Sequence, residues 1–112
     1  RVRKFAIVRT SDAGELAEII EKPDEATIDA LGSDVFVSMN CWAFGPAIFQ
    51  ACAKIGLSPR GELELTDAVR YSMAVLGERY AALKLRAPVL DLSSRADIAA
   101  VNARLAGTEV RL

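Results

Sequence analysis

Histidine is absent from the 112 residues of this chain. Its absence removes Ser-His-Asp and Cys-His catalysis, histidine metal sites, and the side chain that most often carries protons near neutral pH. Cysteine is scarce, with Cys41 and Cys52 the only two. A disulfide-framed secreted domain normally shows four or more, bounded by loops. Both thiols stand inside apolar segments, where a free cysteine reads as core packing. No apolar run approaches the roughly 20 residues that cross a bilayer, and no signal peptide precedes the first strand-like segment. Buried thiols without an export signal predict a cytoplasmic protein with no membrane partner. Neither sign of charge dominates: 14 Lys and Arg against 15 Asp and Glu leave a net charge of -1. Nucleic acid is therefore not an expected partner, since its phosphates need a surplus of cations on one surface.

What is present is globular material. Hydrophobic residues make up 52% and charged residues 26%, too apolar and too evenly charged for disorder. A chain of this length forms one domain and buries roughly two thirds of its unfolded surface. It starts at Arg1 and not at Met, directly in a strand-like run, which predicts a truncated or processed piece.

Val2 to Arg9 alternates loosely and predicts a strand. Ser11-Asp12-Ala13-Gly14 is a turn cluster, and Leu16 to Glu21 predicts a second strand that completes a hairpin. Pro23 stops it for want of a ladder donor, and Pro23-Asp24 opens a short helix through about Leu31, closed by Gly32. Val35 to Phe44 is apolar on both faces, which predicts a strand covered on both sides in the middle of a layered sheet. Gly45-Pro46 opens a helix with Ile48, Phe49, Cys52 and Ile55 at helical spacing, and Gly56 is its stop. After the Ser58-Pro59-Arg60-Gly61 loop, Leu65, Ala68, Val69, Met73 and Leu76 share one face of a helix ending at Gly77. Tyr80 to Arg86 and Val89 to Leu92 predict two short strands broken by Pro88. Ser94 and Asp97 form a near capping box for a last helix, with Ile98, Val101 and Leu105 on its apolar face and Gly107 at its end. Strands alternating with helices predict an α/β fold, part of a three-layer sandwich.

Several positions carry chemistry, each with two readings. Glu21 and Lys22 close a strand before a proline turn, where open α/β sheets bind ligands. The carboxylate suits two sugar hydroxyls and the ammonium a phosphate; the plain reading is a strand-end ion pair. Asn40, in the most apolar strand on the face of Ser38, either ties down a neighbouring loop or points into a ligand pocket, since a buried amide must be hydrogen-bonded. Glu62, Glu64 and Asp67 complement the dipole at a helix start, and Arg60 before them is placed to approach a phosphate. Asp91 interrupts an apolar run just before a helix, as a metal ligand, a general base or a cap for the Ser93-Ser94 turn.

In order along the chain, Ile-Ile-Glu-Lys-Pro (19–23), Ser-Met-Asn-Cys-Trp-Ala-Phe (38–44), Arg-Gly-Glu-Leu-Glu-Leu-Thr-Asp-Ala-Val (60–69) and Val-Leu-Asp-Leu-Ser-Ser-Arg-Ala-Asp-Ile (89–98) resemble the second half of the sugar-phosphate nucleotidyltransferases. The resemblance runs from about residue 5 to 106. It implies that Glu21 and Lys22 contact the sugar and its phosphate, that Asn40 helps hold the sugar, and that Asp91 binds the catalytic Mg2+, while Glu62 to Asp67 border the pocket. Two departures stand out. Cys41 and Trp42 replace the small residue and glycine that follow the family's asparagine, and the indole would reshape a sugar pocket. The family's Asp-x-Gly-Thr is here Asp91-Leu92-Ser93-Ser94. Its Gly-rich nucleotide loop (Gly-x-Gly-Thr-Arg-Leu, then Pro-Lys) and its first metal-binding aspartate do not occur in these 112 residues.

The resemblance implies part of a three-layer α/β/α, Rossmann-like sandwich with a mixed sheet. Residues 1–112 would be its C-terminal, sugar-binding side, without the nucleotide-binding portion. The partners it implies are a sugar 1-phosphate and a nucleoside triphosphate, with Mg2+, and a homo-oligomer stays open. By itself such a chain is expected not to catalyse transfer. The alternative is a non-catalytic α/β binding or interaction module that retains the sugar-side fold.

Overall fold

The computed structural model describes residues 5–32 and 35–109. Its elements are β1 (Ile7–Thr10), β2 (Leu16–Ile20), α1 (Glu25–Leu31), β3 (Val35–Val37), α2 (Ala47–Cys52), α3 (Leu65–Ala74) and α4 (Asp97–Leu105). The α/β class holds, built on a three-stranded sheet of order β2-β1-β3 in which both pairings are antiparallel.

β1 and β2 form the expected hairpin, although the start of the predicted first strand lies outside the described residues. The turn is tied by the Ser11 N–H to the Glu15 carbonyl at 2.8 Å and the Gly14 N–H to the Ser11 carbonyl at 2.9 Å. Ile7 faces Ile20 and Arg9 faces Glu18, after which the register slips so that Thr10 faces Leu16. The slip makes Ala17 the extra residue of a bulge, and Ala17 is exposed. Leu16 and Ile19, three positions apart, thereby reach the same buried face, which strict alternation would forbid.

One buried cluster joins Ala6, Leu16 and Ile19 of the sheet to Ile48 and Ala51 of α2 and to Ala68 and Val69 of α3. Trp42, Phe44 and Tyr80 pack against it. The rings of Trp42 and Phe44 stack at 5.5 Å, and Tyr80 meets both edge-on, at 6.0 and 6.1 Å. Tyr80 also ties the end of α3 to the sheet: its hydroxyl bonds Ser72 Oγ at 2.7 Å and its carbonyl accepts the Leu16 N–H at 2.8 Å.

Several expectations need correction. The strand predicted over Val35 to Phe44 is only Val35–Val37, and it lies at the sheet edge with Phe36 and Val37 exposed. Its pairing ends where Asn40 turns left-handed at φ 51, so the apolar residues beyond it fold back onto the core as the Trp42–Phe44 stack. α2 stops at Cys52, and its short inward stripe is Ile48 and Ala51. Phe49, one position round from Ile48, is 76% exposed. Cys41 and Cys52 are exposed free thiols, not core residues. On α3 the inward residues are Thr66, Ala68, Val69 and Ser72, while Leu65 is exposed.

The strands predicted at Tyr80 to Arg86 and Val89 to Leu92 do not form. Only Ala81 bridges to Glu15, and the Ala82 N–H reaches the Gly14 carbonyl. Beyond Ala82 the chain passes Phe36, where Lys84 Nζ sits 4.4 Å over the ring, and Pro88 offers no ladder donor. α4 begins near the predicted start with only the acidic half of the capping box: Asp97 accepts the Ser94 N–H and hydroxyl, each at 2.8 Å, and the Ser93 N–H at 3.2 Å, while the N-cap residue is Ala96, which makes no side-chain cap bond. Its Ile98, Val101 and Leu105 face is not buried.

Candidate functional site

The register places the predicted site residues at one edge of the sheet. Ile20, Ile7 and Val37 are aligned across β2, β1 and β3. Both outer strands oppose β1, so they run parallel to each other and end at the same edge. Glu21 and Lys22 leave β2 there, and Ser38 to Asn40 leave β3 there, about 10 Å away at two strand spacings. Ser38 is buried and held to the sheet by its N–H on the Ala6 carbonyl at 2.8 Å. Its Oγ accepts the Asn40 N–H at 3.3 Å. Asn40 is exposed, not buried within a strand as the apolar run implied.

Beside Asn40 lies a shallow depression of about 150 Å³ lined by Phe5, Ser38, Met39, Asn40, Val89, Leu90 and Asp91. The structure thus brings Asn40 and Asp91 together although they come from segments fifty residues apart. Glu21 and Lys22 share the sheet edge but do not line this depression. Asp91 accepts the Ser93 hydroxyl at 2.5 Å, while Asp97 serves the backbone at the start of α4, so the helix cap is not Asp91. Trp42, expected to reshape the pocket, packs instead in the aromatic group on the core.

On the β2 side a second group closes the edge. Arg60 meets Glu62 at 2.5 Å and Glu64 at 3.3 Å, and Glu64 also accepts the Ser58 hydroxyl at 3.3 Å. The hydrogen bond to Glu62 raises the Arg60 pKa, and the carboxylates of Glu64, Glu62 and Glu21 push the same way. Arg60 therefore lies within the field of Glu21. Since Arg60 precedes α3 and Tyr80 follows it to pair with the start of β2, α3 runs antiparallel to β2. Its N-terminus, the positive end of its dipole, faces the Glu21 edge. Thr66 in its first turn is 5% exposed, and its Oγ1 has no hydrogen-bond partner among the described residues, a rare state for a buried hydroxyl. Sequence reasoning named Arg60 as a residue that could approach a phosphate and missed Thr66. The available signal was a hydroxyl three residues before Val69, on the apolar stripe of the helix.

Among the described residues no three His, Cys, Asp or Glu side chains gather as a metal cluster. Asp91 is the acidic side chain on the Asn40 depression, and one carboxylate is the share that Mg2+ takes when phosphate oxygens and water complete its shell. The residues fit a partial site.

The chain is 36% identical over 66 residues to a UTP–glucose-1-phosphate uridylyltransferase of Haloferax volcanii, a match covering 59% of the chain and 25% of that enzyme. The chain is related in sequence to the sugar-phosphate nucleotidyltransferases. A low-salt glycan biosynthesis nucleotidyltransferase of the same organism is 35% identical over 61% of the chain and 17% of its own length. A glucose-1-phosphate thymidylyltransferase of Streptomyces griseus is 39% identical over 62% of the chain and 18% of its own length. The match spans a quarter or less of each of these nucleotidyltransferases. No protein-family model matches the chain. No helix among the described residues is long and apolar enough to cross a membrane.

Proposed function

We propose that this chain forms the sugar-phosphate side of a nucleotidyltransferase active site, as the C-terminal portion of a three-layer catalytic domain. In the complete reaction a phosphate oxygen of the sugar 1-phosphate attacks the α-phosphorus of a nucleoside triphosphate. The bond from that phosphorus to the bridging oxygen breaks, and pyrophosphate leaves. No protein nucleophile is needed, which suits a chain without histidine, and positioning carries much of the rate. Glu21 accepts hydroxyls of the sugar, and Asn40 brackets it from β3. Lys22 and Arg60 neutralise its phosphate. Asp91 supplies one ligand to Mg2+, which when bound neutralises charge on the phosphates. The observation that carries this reading is the convergence of Glu21, Lys22 and Asn40 on one sheet edge, with Asp91 beside Asn40.

The test is a titration of the 112-residue chain with glucose 1-phosphate, followed by amide chemical shifts. Shifts concentrated at residues 21–22, 38–40 and 60 are expected, with no pyrophosphate released on adding any common nucleoside triphosphate. Glu21→Ala should weaken the binding by about tenfold or more while leaving the other shifts of the spectrum in place. Binding as tight as in the parent would make Glu21 a mere strand-end charge.

A further inference from the structure

Seven described residues adopt a left-handed backbone, and five of them are glycines: Gly14, Gly32, Gly61, Gly77 and Gly107. The two exceptions are Lys22, at φ 41, and Asn40, at φ 51. A side chain at such a φ crowds the following carbonyl, a strain that glycine does not have. Lys22 has a second conflict because it precedes Pro23, whose ring crowds the residue before it. Asparagine tolerates the conformation better than lysine, so the strain at Asn40 is the smaller.

The two exceptions are not scattered. Each follows the end of an outer strand, on either side of β1, at the shared carboxyl edge. Both are anchored by their neighbours. Pro23 is buried, and Asp24 beyond it accepts the Thr27 N–H at 2.8 Å to start α1. The Asn40 N–H is held on Ser38 Oγ. At its five other left-handed turns the chain uses the residue that fits without strain.

Resting on the functional reading above, we infer that Lys22 and Asn40 are strained positioning points, where stability is given up so that an ammonium and an amide can stand at the sugar-phosphate edge. Stability and ligand binding then oppose each other at these two residues. Replacement by glycine removes both the strain and the side chain, whereas replacement by alanine removes the side chain and keeps the strain.

The experiment compares Lys22→Gly, Lys22→Ala, Asn40→Gly and Asn40→Ala with the parent 112-residue chain. Thermal midpoints are measured without ligand, and glucose 1-phosphate affinity is measured by amide shifts. Lys22→Gly is expected to melt several degrees above Lys22→Ala and above the parent, with a smaller gap of the same sign for the Asn40 pair. All four variants are expected to bind glucose 1-phosphate at least about fivefold more weakly than the parent. Glycine variants no more stable than the alanine variants would overturn the inference and leave the functional reading standing. Glycine variants that are more stable and bind like the parent would also overturn it, because the side chains would then be idle. A parent chain that shows no shift with glucose 1-phosphate would overturn the functional reading and, with it, the purpose assigned to the strain.

Discussion

Residues 5–82 hold every buried side chain of the described chain, and residues 83–109 hold none. The two regions do not differ for lack of apolar residues. Leu83 and Leu85 are 88% and 81% exposed, Leu92 is 62% exposed, and Ile98 and Leu105 of α4 are each 48% exposed. In the first region part of a similar supply is sealed, because two helices and a sheet offer one another complementary faces, although Phe49 and Leu57 stay exposed. An amphipathic pattern therefore marks the face that would gain from a partner, and the burial itself comes only when another element is opposite. The candidate site straddles this divide. Glu21, Lys22, Asn40, Arg60 and Thr66 stand on the packed region, and Asp91 stands on the open one.

The largest effect expected is in the core. Ile19 is fully buried, so Ile19→Ala should cost about 2–5 kcal/mol in denaturant unfolding. Leu85→Ala should stay within about 0.5 kcal/mol of the parent. Equal losses at the two positions would break the comparison and show that residues 83–109 are packed after all. Next comes Asp91. In a complete catalytic domain, Asp91→Asn should lower turnover by roughly a hundredfold, the scale of one lost electrostatic stabiliser. The thermal midpoint should hardly move, because Asp97 and not Asp91 holds the N–H groups of the Ser93–Ser94 turn. A stability loss with near-normal turnover would remove the metal assignment.

The smallest effect concerns pH. Hydrogen bonds from Thr27, its side chain first and its N–H second, hold the Asp24 carboxyl below its ordinary value of 3.8. The stabilisation from a lowered carboxyl is complete above that value and is lost as pH falls through the lower native one. Asp24→Asn keeps an acceptor for the α1 cap but cannot titrate. The parent should lose its advantage over this variant only below about pH 3.8, as followed by thermal midpoints across an acid series. An advantage that faded near neutrality would point to a different group.

Local signals were legible in the sequence, and long-range ones were not. The hairpin, the Asp24 and Gly32 ends of α1, and the Ser94–Asp97 start of α4 follow from interactions within a few residues, so each could be read directly. The site residues were named from motif order. Their convergence at one edge depends on the register Ile20–Ile7–Val37, which no local pattern encodes. The errors share a cause as well. Val35 to Phe44 reads as a central strand because its composition is apolar on both faces, yet it has a sheet neighbour on one side and breaks at Asn40. The turn residues between two strands announce a hairpin, but nothing near Tyr80 announces that only Tyr80, Ala81 and Ala82 will reach the hairpin, at Leu16, Glu15 and Gly14. Cys41 and Cys52 were misplaced because average burial stood in for position: on α2 the inward stripe is Ile48 and Ala51, and Cys52 falls beside it.

The segment at Arg79 to Ala82 that clips onto the hairpin has a kinetic side. Arg9 and Glu18 of the β1–β2 pair are separated by nine positions in sequence, whereas Arg79 and Glu15 form their ion pair across 64. Bringing such distant ends together costs more chain entropy, and that cost comes before the Leu16–Tyr80 and Arg79–Glu15 contacts can repay it. The clip is accordingly expected to form late, after the rate-limiting step of folding. Loosening it would leave the refolding rate almost untouched and act on the lifetime of the native state, which would open first where residues 79–82 leave the hairpin.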